Sequence, residues 1–156
     1  FILRGENFMR EAKGKKYDQW VIGETYETAR RTVTETDIIS FAGISGDFNP
    51  LHTDLEFAKT TPYKTRIAHG ALILSISTGL VDHAGYIDGT ILAFLGASVK
   101  WPAPVRAGDT IYVKLTPVEK KLTKNPSRGV VTCKVDVVNQ DSVVVCAQEW
   151  SLMITV

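Results

Sequence analysis

Cysteine is nearly missing from this chain, with only Cys133 and Cys146 among 156 residues. That scarcity excludes a disulfide scaffold and any multi-cysteine metal centre. If Asn139-Gln140 forms a two-residue hairpin turn, the two cysteines fall opposite each other on paired strands; the plainer reading is two buried free thiols. An excess of either charge is also lacking: eighteen Lys and Arg against seventeen Asp and Glu leave a formal charge of +1. Such a balance gives no broad positive surface for a phosphate backbone, so nucleic acid is not an expected partner. No apolar run reaches the roughly 20 residues that cross a bilayer core. The longest nearly uncharged stretch, Ile67 to Val81, is broken by Ser75, Ser77, Thr78 and Gly79 and reads as a buried helix of a soluble protein. The opening residues lack the basic head, apolar block and small-residue cleavage site of a secretory signal, so a cytoplasmic protein without a membrane partner is expected. Repeats, low-complexity tracts and linkers are absent too. The expectation is one domain over residues 1–156, with residues 1–20 in part an extension and Met9 a candidate native start.

What is present suffices for one core, since 44% of the residues are apolar. Ile111, Val113 and Leu115 alternate with Tyr112, Lys114 and Thr116, and Val131, Cys133, Val135 and Val137 alternate with Thr132, Lys134 and Asp136. Each set places its apolar members on one face of a half-buried strand. The charged stretch Glu119 to Gly129 reads as a loop between them, and Ser142 to Thr155 as the strand that closes an antiparallel meander. Thr90 to Val99 is a further strand and Tyr26 to Val33 a weaker one. Arg66 to Asp82 has apolar residues most of the way around a helix, which therefore needs cover on nearly every side. An α+β fold meets both demands: a curved antiparallel sheet wrapped around one long central helix. Thr36 to Ala42 and Asp54 to Lys59 read as short helices capped by Thr34 and Thr53. His83, beside Gly85, reads as a cap interaction at the far end of the long helix.

The segment with chemistry in it is Phe41 to Ala58, FAGISGDFNPLHTDLEFA. Gly43, Gly46, Asn49 and Pro50 suit a tight, rigid turn that aims side chains. Asp47 and His52, five apart across Asn-Pro, place a carboxylate and an imidazole where both can reach one water. Hydrating a 2-enoyl thioester requires that pairing: water attacks the β-carbon while losing a proton, the α-carbon gains one, and charge spreads onto the thioester oxygen. The first turn of the long helix, Ala68-His69-Gly70-Ala71, offers backbone N–H groups for that oxygen, and Gly70 has no Cβ to bar a ligand atom. Taken singly, each residue has a plainer use. Asp47 can bond backbone amides of its turn, Asn49 can form the turn, and His69 can make a local bond at the helix start. The combination argues for a site in which Asp47, His52 and Gly70 are catalytic and Ser45, Asn49 and His69 bind substrate.

Phe41 to Ala58 resembles, position for position, the motif of the R-specific enoyl-CoA hydratases of the MaoC-like dehydratase family. The resemblance rests on Ser45, Gly46, Asp47, Asn49, Pro50, Leu51, His52 and Ala58, and it continues through Arg66 to Gly70, Gly89 to Val99, Pro102 to Val105 and Gly108-Asp109. It implies a hot-dog fold, Asp47 and His52 as the catalytic pair, and the Gly70 N–H as the oxyanion donor. It further implies reversible hydration of trans-2-enoyl-CoA to the R-3-hydroxyacyl thioester, a dimer or larger homo-oligomer, and no metal or redox cofactor beyond the coenzyme A of the substrate. Rival readings are a dehydratase acting on acyl-carrier-protein thioesters, with Lys120, Lys121, Lys124 and Arg128 as its basic rim, a hot-dog thioesterase, and a noncatalytic acyl-CoA-binding domain.

Overall fold

The computed structural model describes residues 12–156; Met9 lies outside them. In chain order, the short strands β1 (Tyr26–Glu27) and β2 (Arg31–Thr32) precede the helices α1 (Glu35–Ser45), α2 (Pro50–Thr53), α3 (Leu55–Thr60) and α4 (Gly70–His83). The long strands β3 (Ile91–Lys100), β4 (Thr110–Leu122), β5 (Arg128–Val138) and β6 (Val144–Thr155) follow. All pairings are antiparallel, in the order β1-β4-β5-β6-β3, with β2 also on β4. This is the α+β, hot-dog arrangement: one sheet curved around one principal helix.

The strand alternation expected from the sequence is what builds the core. Ile111, Val113 and Leu115 of β4, Val131, Cys133, Val135 and Val137 of β5, and Cys146, Trp150, Leu152 and Ile154 of β6 are sealed from solvent. They meet Leu72, Ile73, Ile76, Leu80 and Val81 of α4, each such burial contributing roughly 1.5–3 kcal/mol against exposure. One polar chain crosses this core: the Trp150 indole N–H donates to Gln148 Oε1, and Gln148 Nε2 donates to Ser77 Oγ on α4.

Several elements depart from expectation, each for a local reason. The long helix begins at Gly70 instead of Arg66, because Ile67 and Ala68 give their N–H groups to Leu51 and Val105 carbonyls across the fold. Its cover is one-sided, since Ala71, Ser75, Gly79 and Asp82 stay exposed. At its far end His83 is exposed, and Ala84 and Gly85 close the helix with their own N–H groups. The Tyr26–Val33 strand is split into β1 and β2. The charged stretch after Glu119 is mostly strand, because cross-strand pairing of Lys121 with Val130 and Leu122 with Gly129 carries the hairpin outward. Between β5 and β6 the turn runs from Asn139 to Val143, with Asn139 Oδ1 accepting from the Asp141 and Val143 N–H groups. That longer turn shifts the register, so Cys146 faces Val137 and Cys133 faces Trp150; both are free, buried thiols. Tyr17 and Trp20 are buried, so this part of residues 1–20 belongs to the core and not to an extension. Among the described residues no helix is long and apolar enough to cross a membrane.

β3 ends the sheet, and its outer edge has no strand partner among the described residues. Leu92, Phe94 and Leu95 on it are exposed.

Candidate active site

The loop that follows α1 is built by a relay of short-range bonds. Gly46 ends the helix in the left-handed region at φ 76° and returns its N–H to the Ala42 carbonyl. A side chain there would be strained. Ser45 Oγ donates to the Phe41 carbonyl at 2.7 Å and accepts the Asp47 N–H at 3.2 Å. Asp47 Oδ1 in turn accepts the Asn49 N–H at 3.2 Å, and Asn49 Oδ1 caps α2 through the Leu51 N–H at 3.0 Å. Pro50, at the first helical position, loses nothing by lacking an N–H. The outcome is that His52 rides on a turn of helix, where an open loop was expected, and Asp54 instead of Thr53 caps α3. Thr53 Oγ1 donates backwards, to the Phe48 and Asn49 carbonyls.

His52 is half-buried, and its Nδ1 lies 2.7 Å from the Ile67 carbonyl. A carbonyl only accepts, so the proton sits on Nδ1 and Nε2 carries a bare lone pair. A ring nitrogen of His52, a ring nitrogen of His69 and a carboxylate oxygen of Asp47 all fall within 4.8 Å of one another. A water giving both hydrogens to acceptors about 2.8 Å away spans about 4.6 Å between them. The Asp47 carboxylate and His52 are thus within reach of one shared water, which would donate to each and keep its lone pairs for attack.

The same trio has the composition of a metal site, yet its hydrogen bonds work against one. His69 Nε2 is 2.9 Å from the Asp47 carbonyl, and His69 Nδ1 is buried without a partner among the described residues. A cation taking His69 through Nε2 would break that bond, and one taking it through Nδ1 would have to enter a position closed to solvent. What remains open is His52 and Asp47, short of the three protein ligands of a catalytic zinc.

Beside His52 lies an apolar cleft of about 390 Å³ lined by Tyr63, Ile67, Gly70, Ile73, Trp101, Val145 and neighbours. Gly70 opens α4, so its N–H has no carbonyl within the helix to receive it. Its missing Cβ has a further reason: the Trp101 indole occupies that space, 2.6 Å from where a Cβ would stand, and donates to the Gly70 carbonyl at 3.0 Å. The structure thus gathers Asp47, His52, His69 and Gly70 into one neighbourhood. Ser45 and Asn49 stay outside the cleft, exposed, with their oxygens spent on the loop. Asp47 stands beside His52 but faces solvent, and His69 is buried behind the pair. Tyr63 and Trp101 were missed by sequence reasoning; an aromatic just ahead of the Pro102/Pro104 pair was the available signal.

Residues 18–139 match the family described as the MaoC like domain. The chain is 35% identical over 122 residues to an (R)-specific enoyl-CoA hydratase of Rhodospirillum rubrum, covering 76% of this chain and 83% of that one. It is 31% identical over 109 residues to a 3-hydroxybutyryl-CoA dehydratase of Methylorubrum extorquens, covering 70% and 68%. A solved structure described as a monoamine oxidase regulatory protein from Archaeoglobus fulgius superposes with a TM-score of 0.84 at 41% identity, over 91% of this chain and 95% of that one.

Proposed function

The chain belongs to the MaoC-like dehydratase family of hydro-lyases, and from that premise we propose that it hydrates trans-2-enoyl-CoA thioesters reversibly to (R)-3-hydroxyacyl-CoA. The observation that carries the reading is His52: its Nδ1 gives its hydrogen to the Ile67 carbonyl, which leaves Nε2 of the neutral ring as an acceptor, and a ring nitrogen of His52 lies within 4.8 Å of an Asp47 carboxylate oxygen. That water's oxygen bonds to the β-carbon while one of its O–H bonds breaks, the proton passing to Nε2 or to the carboxylate. The alkene electrons shift through the α-carbon to the thioester oxygen, which the Gly70 N–H receives at the positive end of α4. The α-carbon then takes that proton back from Nε2 or from the Asp47 carboxyl, so that the two halves of water have been added and both groups are returned to their starting state. The apolar cleft excludes bulk water from the acyl group. No step draws on a metal or redox group.

Coenzyme A is favoured over an acidic carrier protein because the basic rim is smaller than the sequence suggests. Lys120 donates to the Trp20 carbonyl at 2.9 Å and lies over the Tyr17 ring, so its charge serves the fold. The working unit in this reading is a homodimer joined along β3. An edge that is unpaired among the described residues and carries Leu92, Phe94 and Leu95 suits an antiparallel copy of itself, related by a two-fold axis.

The test is loss of enoyl absorbance with crotonyl-CoA. Asp47→Asn and His52→Ala are expected to fold and to lower kcat by about a hundred-fold or more. Turnover at the wild-type rate in either variant would remove the mechanism.

A further inference from the structure

We propose that His69 is a positioning residue for this reaction, holding the carboxylate and the imidazole from behind. The inference rests on the Asp47–His52 reading above and adds a third member that touches neither water nor substrate. His69 is 2% exposed. Its Nε2 lies 2.9 Å from the Asp47 carbonyl, so the proton is on Nε2, the opposite tautomer to His52. The two imidazoles stack with centroids 3.8 Å apart and planes 30° from parallel, and the Phe41 ring closes on His69 at 5.1 Å. His69 is also the residue before α4: its carbonyl accepts the Ile73 N–H, and the next N–H in the chain is that of Gly70. One side chain thus ties the backbone of Asp47, the ring face of His52 and the start of the helix that bears the oxyanion donor.

The orphaned Nδ1 argues that this position answers to more than packing. A buried lone pair without a donor is destabilising, and a phenylalanine at this place would fill the same space without it. What only the imidazole supplies is a flat ring against His52 together with an N–H reaching Asp47.

Two variants separate these contributions. His69→Phe keeps the ring and loses the donor, while His69→Gln keeps a donor near the position of Nε2. With crotonyl-CoA, His69→Phe is expected to lower kcat by about a hundred-fold with KM within about three-fold of wild type, and His69→Gln to recover most of that loss. Placed in an Asp47→Asn background, His69→Phe should add no more than about three-fold, because its effect runs through the carboxylate. General loosening of the fold would instead add its full loss in both backgrounds. Wild-type kcat in His69→Phe, or His69→Gln as impaired as His69→Phe, would overturn the proposal. Imidazole nitrogen NMR provides an arm independent of turnover and of whether any variant folds. The chain has three histidines, and in the wild-type protein His69 should carry its proton on Nε2 and His52 on Nδ1. A proton on Nδ1 of His69 would overturn the proposal. A wild-type protein with these tautomers but no hydration of enoyl-CoA would instead sink the underlying reading.

Discussion

A Cβ added at Gly70 would stand 2.6 Å from Trp101 Cε2, so Gly70→Ala forces the indole off the start of α4. Overpacking of this kind costs roughly 1–3 kcal/mol. Thermal unfolding should register that loss, and steady-state kinetics should show kcat falling by about ten-fold or more as the donor at residue 70 is moved. The thiols make a second test at this scale. Burial pushes Cys133 up to about 12 and Cys146 up to about 11. At about pH 8 the native protein should therefore resist iodoacetamide, both sites reacting only after denaturation, as mass spectrometry would show. Unfolded thiols titrate near 9, so this contribution to stability is whole below that value and is lost as pH climbs towards about 12. Urea midpoints across that alkaline range check the sign. Asp47 and His52 were legible because a fixed spacing in a turn-rich segment announces them. Tyr63 and Trp101 were not, because their place in the cleft depends on how distant segments pack.

Helix α1 sets the aim of the loop that carries the carboxylate. Its start is a reciprocal cap: Thr34 Oγ1 accepts the Asp37 N–H at 3.1 Å, and Asp37 Oδ2 accepts the Thr34 N–H at 2.8 Å. Burial works to raise the Asp37 carboxyl, but the bonds from Thr34 and the nearby Arg31 outweigh it and hold it below its usual range. Thr34→Ala should lower stability by about 1 kcal/mol in urea unfolding while leaving kcat nearly unchanged, because the aim of Asp47 is fixed at the other end of the helix. Thr34 was readable as a cap because it precedes an acidic first turn. Thr53 was misread for the same reason: Asp54 follows it and competes for the same role, and only the fold shows Thr53 turned back to the Phe48 carbonyl. The start of α4 and the register of the two cysteines were hidden for a different cause. Apolar periodicity marks which face of an element is buried, whereas its first residue and its turn length depend on tertiary hydrogen bonds, such as Ala68 to Val105 and Asn139 to Val143.

Among the described residues the sheet is closed on one side by its helix and open at β3. The alternation of β4 and β5 was enough to foretell a curved sheet around a helix, but the exposed edge was not foreseen, because a strand reads alike whether one or both of its edges are paired. Leu92→Lys with Leu95→Lys should halve the mass measured by light scattering from twice that of one chain, if two copies join along this edge. A wild-type protein already of single-chain mass would rule out the dimer.

Trp101 has a practical consequence that follows from its place. Trp20 and Trp150 are sealed at 1% and 0% exposure, while Trp101 is 51% exposed on the wall of the cleft. Emission from two indoles is therefore insulated from the bathing medium, and the third responds to whatever comes to rest against it. The protein contains its own optical gauge of occupancy, readable by titration without a label.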